Sequence, residues 1–223
     1  MNSPVQAKTG IENGCDSGTT RVEKAAAYFN SVAEVLAHLP CTVIDQIVEV
    51  LFQAYQANRF VFLFGNGGSA ALASHLACDL GKGTAMNGNL RFRVMALTDN
   101  VPLMTAWAND SRYEDIFAEQ LHNFIQAGDL AIAISGSGNS PNVIKALEVA
   151  RRAGAYNIGI GGYQGGKMKG LCNLCAVVPS DNMQIIEDMH LSICHCIFLA
   201  LRQRIFLLKS HSSTEMSNLR SKA

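Results

Sequence analysis

Apolar and polar positions change their spacing near residue 59 of this chain. Before that point, apolar residues recur every three or four positions on both sides of Pro40, which predicts two helices over residues 20–58. After it, short apolar runs alternate with segments of helical spacing. The runs cover residues 60–64, 92–97, 130–134, 157–160 and 175–178. Their nearly unbroken apolar character is typical of strands that are buried on both faces of a sheet.

The segments between these runs carry the spacing of helices. They cover residues 69–81, 113–127 and 140–153, and a last helix is predicted over residues 183–208. Strands that alternate with helical crossovers form a parallel sheet, so the pattern predicts an α/β fold with a doubly wound five-stranded sheet. Two N-terminal helices and a long C-terminal helix complete it. In such sheets, ligands bind at the carboxyl ends of the strands.

The two ends of the chain differ in composition from its middle. Residues 1–19 are rich in Gly, Ser, Thr and Asn, and the segment 209–223 is also polar. Such segments bury too little apolar surface to compensate for the entropy of ordering. We therefore expect a single domain over residues 20–208 between two disordered ends.

Composition and charge narrow the class of protein. The chain has 223 residues, is 48% hydrophobic, and carries 18 basic and 18 acidic residues. Because the net charge is zero, the protein is not expected to bind a nucleic acid through electrostatic attraction. No apolar run is long enough to span a bilayer, and the polar N-terminus does not resemble a signal peptide. The expectation is a cytoplasmic protein with no nucleic-acid or membrane partner.

The seven cysteines do not form an obvious framework. An odd number in an ordinary composition argues against structural disulfides. Cys172 and Cys175 form a CxxC motif that runs into an apolar stretch, and no second CxxC accompanies it. We interpret these two as small core residues at the entrance of a strand. A zinc or redox role is the less favoured alternative.

Two loops at predicted strand ends carry the strongest functional signal. "GNGGS" at residues 65–69 ends the first strand and opens a helix, and "SGSGNSP" at residues 135–141 does the same after the third. Glycines allow a ligand to approach the backbone, and a helix N-terminus attracts anions. For the first loop alone, a tight turn with a serine cap is an equal alternative. Together, the loops predict a phosphorylated small molecule held between them.

Four ionisable residues have spacings that suit a metal site. His75 and Asp79 are four apart and share a helix face, and Glu187 and His195 are eight apart on another helix. Two imidazoles and two carboxylates are typical ligands of zinc. Spacing does not show that the two helices meet, and His75 alone is better interpreted as a cap or core histidine. His190, near the same face as Glu187, is the spare candidate.

Six segments in this order resemble one family. "GNGGSA", "HLACDL", "AND", "ISGSGNSPNVIKAL", "GGKM" and "IIEDMHLSICH" are similar to the SIS (sugar isomerase) family, and within it to phosphoheptose isomerases. The resemblance covers residues 22–208. It implies an aldose–ketose isomerase that acts on sedoheptulose 7-phosphate, one zinc per site, and a homotetramer with sites between subunits.

The resemblance also implies individual site residues. Those expected to contact the sugar phosphate are Asn66, Gly67, Gly68, Ser69, Asn109, Asp110, Ser135, Gly136, Ser137, Ser140 and Glu187. Those expected to hold zinc are His75, Asp79, Glu187 and His195. Asp79 is assigned as the base that moves a proton through an enediol, and His195 as the acid/base that opens the sugar ring.

Three positions depart from the family pattern. Asp79 stands where the family usually has Glu, Glu187 where it usually has Gln, and Gly136 where it often has Thr. The alternative is a non-catalytic SIS module that binds a sugar phosphate and regulates a protein partner, as replication-initiator-binding relatives do. Because all four predicted metal positions still carry ionisable groups, the sequence favours an enzyme.

Overall fold

A parallel sheet of five strands forms the centre of the protein. The computed structural model describes residues 24–85 and 90–220, with side chains as far as Leu208, so the segment 1–19 that was expected to be disordered lies outside the described residues. The strands are β1 Phe60–Gly65, β2 Arg93–Ala96, β3 Leu130–Ser135, β4 Tyr156–Gly161 and β5 Leu174–Val177. Their order is β2-β1-β3-β4-β5, and every neighbouring pair is parallel. The predicted doubly wound α/β sheet is confirmed.

Helices cover both faces of this sheet. They are α1 Ala25–Ala37, α2 Cys41–Gln56, α3 Gly68–Cys78, α4 Val101–Asp110, α5 Ala118–Phe124, α6 Pro141–Arg152, α7 Gly166–Lys169 and α8 Met183–Arg220. Alternate strand residues point to opposite faces. One core therefore joins the sheet to α2, α3 and α8, and the other joins it to α5, α6 and α7. The carboxyl ends of β1 and β3 lie outside both cores, at the same edge of the sheet.

Three predicted helices differ from the observed ones. The helix predicted over residues 69–81 ends at Cys78 and continues as a π-helical turn, Asp79–Gly83. The helix predicted over residues 113–127 divides into a 3-10 turn, Tyr113–Asp115, and α5. α8 continues past the predicted end at residue 208. The division into one domain over residues 20–208 and two terminal segments stays a prediction.

Two helices, α4 and the short α7, were not predicted. None of the residues of α4 is fully buried, and its apolar stripe is limited to Met104, Trp107 and Ala108, which pack against the core half-buried and give only a short sequence signal. Its start is nevertheless specified locally. The side chain of Asn100 accepts a hydrogen bond from the backbone N–H of Leu103 at 3.2 Å, and Pro102 lies in the first turn.

The expectation that no segment is long and apolar enough to span a bilayer was wrong. By length and composition the stretch Met183–Leu208 of α8 qualifies, with a mean hydropathy of 1.6, and α1 with α2 qualifies as a pair bent by 67°. The prediction considered only unbroken apolar runs, and polar residues interrupt the run in α8. The mean hydropathy over the whole stretch stays high in spite of them. The inner face of α8 packs on the sheet through residues such as Ile186, Ile193 and Ile197.

Candidate functional site

The turn after β1 brings a carboxylate to the start of a helix. Gly67 has a positive φ of 55°, which favours glycine, and α3 begins at Gly68. A Cβ on Gly68 would lie 3.2 Å from Oε1 of Glu187, so a larger residue would force this carboxylate to move. Glu187 therefore lies over the N-terminus of α3, where the helix dipole stabilises negative charge.

Three of the four predicted metal ligands come together. One ligand atom from each of His75, Asp79 and His195 lies within 4.8 Å of the others. The Nε2 atoms of His75 and His195 are 3.5 Å apart, and Nε2 of His75 is 3.6 Å from Oδ2 of Asp79. Asp79 thus reaches the cluster although its side chain is shorter than the glutamate of the family.

The spacing of this cluster fits a zinc ion. Bonds of about 2.0–2.1 Å in tetrahedral geometry put two ligand nitrogens about 3.4 Å apart, which is close to the separation of the two imidazole Nε2 atoms. Two imidazoles and one carboxylate also form a common donor set for zinc with one position left open. The side chains of His75, Asp79 and His195 would be the ligands.

The fourth predicted ligand, Glu187, lies beside this cluster rather than in it. It lines a pocket of about 260 Å³ between α3 and α8, together with Gly68, His75 and His190. The cluster within 4.8 Å does not include its carboxylate. The structure thus places Glu187 next to His75 and against the start of α3.

His190 is a buried polar residue in the same pocket. Only 1% of its surface is exposed, and neither ring nitrogen has a hydrogen bond of normal geometry within the described residues. Burial lowers the pKa of His190, and the nearby carbonyl of Gly161 offsets part of that shift. The neutral form of His190 is therefore favoured, and its ring lies in the pocket with His75, near the end of β4.

The loop after β3 presents hydroxyl groups. The Oγ of Ser135 accepts a hydrogen bond from the N–H of Gly138, and that of Ser137 accepts one from the N–H of Asn139, each at 3.2 Å. In both cases the hydroxyl hydrogen stays available for an anion. Ser140 directly precedes α6, and its side chain makes no capping bond. These serines form the hydroxyl-rich part of the predicted phosphate cradle.

Gly136 of this loop lies under Met183, the first residue of α8. A Cβ on Gly136 would be 2.5 Å from Sδ of Met183 and 3.1 Å from its Cε. The methionine therefore fills the space into which a threonine at position 136 would extend. The missing hydroxyl of the family pattern is replaced here by a thioether.

Asn66 joins the two loops through a network that the sequence did not reveal. Its Nδ2 donates to Oδ1 of Asn142 at 2.9 Å, and Nδ2 of Asn142 donates to Oδ1 of Asn66 at 2.8 Å. The hydroxyl of Tyr113 donates to the same Oδ1 of Asn66 at 3.1 Å. The only sequence signal for Asn142 is a polar residue in the first turn of a helix, which is too common to be informative.

The remaining predicted site residues lie on two elements, with Ser69 in the pocket that His75 also lines and the other two at the end of α4. Asn109 and Asp110 are exposed at the end of α4, where Nδ2 of Asn109 donates to Oδ1 of Asp110 at 2.7 Å. Within the described part of the chain, this is the one side-chain hydrogen bond of either residue. Ser69 is buried in the first turn of α3, next to Gly68.

Known proteins are similar to this chain in sequence and in fold. A sequence model described as "SIS domain" matches residues 27–162. The phosphoheptose isomerase of Pelobacter propionicus is 34% identical over 191 residues, which cover 86% of this chain and 98% of that protein. That of Rhodospirillum rubrum is 40% identical over 154 residues, or 69% and 81% of the two chains. The solved phosphoheptose isomerase of Francisella tularensis has a TM-score of 0.74 at 28% identity, and the match covers 83% and 100% of the chains.

Proposed function

Because this chain belongs to the SIS domain family, we propose that it is a phosphoheptose isomerase. It interconverts the ketose sedoheptulose 7-phosphate and the aldose D-glycero-D-manno-heptose 7-phosphate through an enediol. The observation that carries this proposal is the convergence of His75, Asp79 and His195 beside the pocket at the start of α3, directly after the loop that ends β1. An isomerase needs this combination, since one group must hold the phosphate while others move a proton.

The loop after β3 binds the phosphate group. The free hydroxyl hydrogens of Ser135 and Ser137 donate to phosphate oxygens, and the N-terminus of α6 adds backbone N–H groups and a favourable dipole. Asn66 holds the two loops at a fixed distance through Asn142. Binding at two strand ends orients the sugar chain toward the metal cluster.

Asp79 and His195 carry out the proton transfers. A carboxylate oxygen of Asp79 removes the proton from C1 of the ketose and returns it to C2, and a ring nitrogen of His195 exchanges the proton that opens the sugar ring. Zinc held by His75, Asp79 and His195 would polarise the sugar oxygens and stabilise charge on the enediol. The carboxylate of Glu187, over the start of α3, contributes to the substrate pocket beside His75.

We further propose a cytoplasmic homotetramer with sites between subunits and no nucleic-acid or membrane partner. Large apolar side chains are exposed on the two helices that pack together, α1 and α8, among them Phe29 at 65% and Phe206 at 64%. Burial of these side chains against other copies would remove a large apolar surface from water.

The first experiment measures turnover directly. Zinc-loaded protein is incubated with sedoheptulose 7-phosphate, and the aldose is followed by NMR, with a second sample treated with a chelator. We expect aldose formation that chelation abolishes and zinc restores. Binding of the sugar phosphate without turnover would contradict the proposal and support a non-catalytic SIS module that regulates a protein partner.

The base is tested by two substitutions at one position. Asp79→Asn should lower kcat by about 10²–10⁴-fold, because an amide cannot take the proton. Asp79→Glu should keep kcat within about tenfold, since the carboxylate remains. Zinc content is measured on the same samples, because a carboxylate oxygen bound to zinc cannot also take a proton. If Asp79→Asn loses turnover only in proportion to its zinc, Asp79 is a ligand and not the base.

A further inference from the structure

We propose that Cys172 and Cys175 form a redox-active dithiol that an anionic low-molecular-weight disulfide, such as glutathione disulfide, oxidises to an intramolecular disulfide. The motif lies at the amino end of β5, whereas the candidate site lies at the carboxyl ends of the strands. The inference is therefore independent of the proposed isomerase activity.

The backbone brings both sulfur atoms to one point. A Cβ on Gly159 would lie 2.9 Å from Sγ of Cys175 and 3.0 Å from Sγ of Cys172. Gly159 is opposite Cys175 in the pairing of β4 with β5. A glycine inside a buried strand marks a place where other atoms approach closely, and here those atoms are two thiols. The chain thus holds the two sulfurs together without a bond between them.

The surroundings of the pair favour a thiolate. The pKa of Cys175 is lowered by a hydrogen bond from the Cys172 thiol and by the positive charge of Lys169, although burial opposes the shift. The same hydrogen bond and burial raise the pKa of Cys172, so Cys175 is the more acidic thiol of the pair. Both cysteines are partly exposed. A thiolate next to a second thiol is the reactive form in disulfide exchange.

A basic cleft leads to this pair. Cys172 lines an open cleft of about 600 Å³ between the ends of α2, α6 and α7, and Arg59 and Arg151 line it too. None of the described residues that line the cleft is acidic. Arg59 donates to the carbonyl of Ala127 at 3.4 Å, and neither arginine takes part in an ion pair within the described residues. The cleft therefore attracts an anionic tripeptide such as glutathione, whose carboxylates outnumber its amino groups.

The exchange balances without any other reactant. A thiolate of the pair attacks one sulfur of glutathione disulfide, its S–S bond breaks, and one glutathione leaves as a thiolate that takes up a proton. The second cysteine loses its proton and attacks the protein sulfur of the mixed disulfide, and the second glutathione leaves. The protein dithiol is oxidised, and one glutathione disulfide is reduced to two glutathione thiols.

The test is mass spectrometry of the reduced full chain after incubation with glutathione disulfide. We expect the loss of two hydrogens, a disulfide within the peptide that contains residues 172–175, and no lasting glutathione adduct there. Cys172→Ser should instead keep one glutathione on Cys175. Cys196→Ser, at an exposed cysteine on α8, is the matched control and should react at 172–175 as the unchanged protein does.

The role of the cleft is tested by rate. Replacement of Arg59 and Arg151 by Ala should slow oxidation by glutathione disulfide about tenfold and leave oxidation by the uncharged bis(2-hydroxyethyl) disulfide unchanged. Thermal unfolding of each variant verifies that it is folded. Glutathione found only on the exposed Cys41, Cys78 or Cys196, or an equal loss of rate with both reagents, would overturn the proposal.

Discussion

At the scale of single residues, the loops of the candidate site depend on glycines that leave room for a side chain from elsewhere. Gly68 makes room for the carboxylate of Glu187, and Gly136 makes room for the thioether of Met183. Each pair contains one departure from the family pattern, Glu187 in the first and Gly136 in the second. Residue identity at these positions therefore has to be considered in pairs.

The pair Gly136 and Met183 gives a prediction for stability and binding. Gly136→Thr should lower the free energy of unfolding by about 1 kcal/mol, because its Cβ would lie 2.5 Å from Sδ of Met183 and this flexible side chain would have to change rotamer. Adding Met183→Ala should recover most of this loss, and the new hydroxyl should tighten binding of inorganic phosphate by about tenfold. Chemical denaturation and calorimetry measure the two effects.

Met183→Ala alone is the control for this pair. It should lower stability through lost packing and leave phosphate affinity unchanged. If Gly136→Thr is as stable as the unchanged protein while Met183 is present, the two side chains do not compete for the same space.

At the scale of elements, the first half of α8 supports both loops and the metal cluster. Met183 contacts Gly136, and a Cβ on Gly162 would lie 2.5 Å from Cδ1 of Ile186. The N–H of Gly162 in turn donates to the carbonyl of Gly136 at 2.9 Å. One helix therefore contacts the loop after β3 and, farther along its length, carries His190 and His195 to the side of His75.

His190 makes the stability of this packing depend on pH. Its folded pKa lies below the ordinary value of 6.5 because burial disfavours the charged ring. The unfolded chain therefore binds one more proton as the pH falls below about 6.5, and the contribution to stability that is present above this pH is lost. We expect His190→Gln to have a shallower decline of unfolding free energy below pH 6.5, by up to about 1.4 kcal/mol per pH unit.

Denaturation curves between pH 5 and pH 8 measure this slope. His122→Gln, at an exposed histidine on α5, is the matched control and should keep the slope of the unchanged protein. Equal slopes for His190→Gln and the unchanged protein would show that His190 is not the group responsible.

At the scale of the whole molecule, α1 is a helix without a buried residue that nevertheless packs on α8. The hydroxyl of Tyr28 donates to the carboxylate of Asp188, which fixes α1 on α8. Asp188 directly follows Glu187 in α8. Phe29 on α1, and Leu199 and Phe206 on α8, remain largely exposed. Among the described residues, this surface is a candidate for contact with other copies of the chain.

The proposed tetramer is tested on that surface. Phe206→Glu should lower the native mass measured by light scattering and reduce turnover, because a charge would be placed in an apolar interface. Phe124→Glu, which changes a 47% exposed residue at the end of α5, should alter neither. An unchanged mass for Phe206→Glu would remove this face from the proposed interface.

The main strand and helix pattern, the parallel sheet and the positions of the two glycine- and serine-rich loops were determined by the sequence itself. Each depends on local spacing, on buried apolar runs, or on glycine and serine at a strand end, and these signals lie within a few residues of one another. The same holds for the face shared by His75 and Asp79, because four residues make about one helical turn. The family resemblance added the roles of residues far apart in the chain.

Only the tertiary structure decided which distant groups meet. His75 and His195 are separated by 120 positions, and their contact follows from the packing of α3 on α8. The same packing left Glu187 outside the cluster and placed Met183 over Gly136. The two thiols of Cys172 and Cys175, interpreted from sequence as core residues, meet beside Gly159 because β4 and β5 pair in one register. Such contacts depend on the register and packing of whole elements, which the spacing within any one element does not contain.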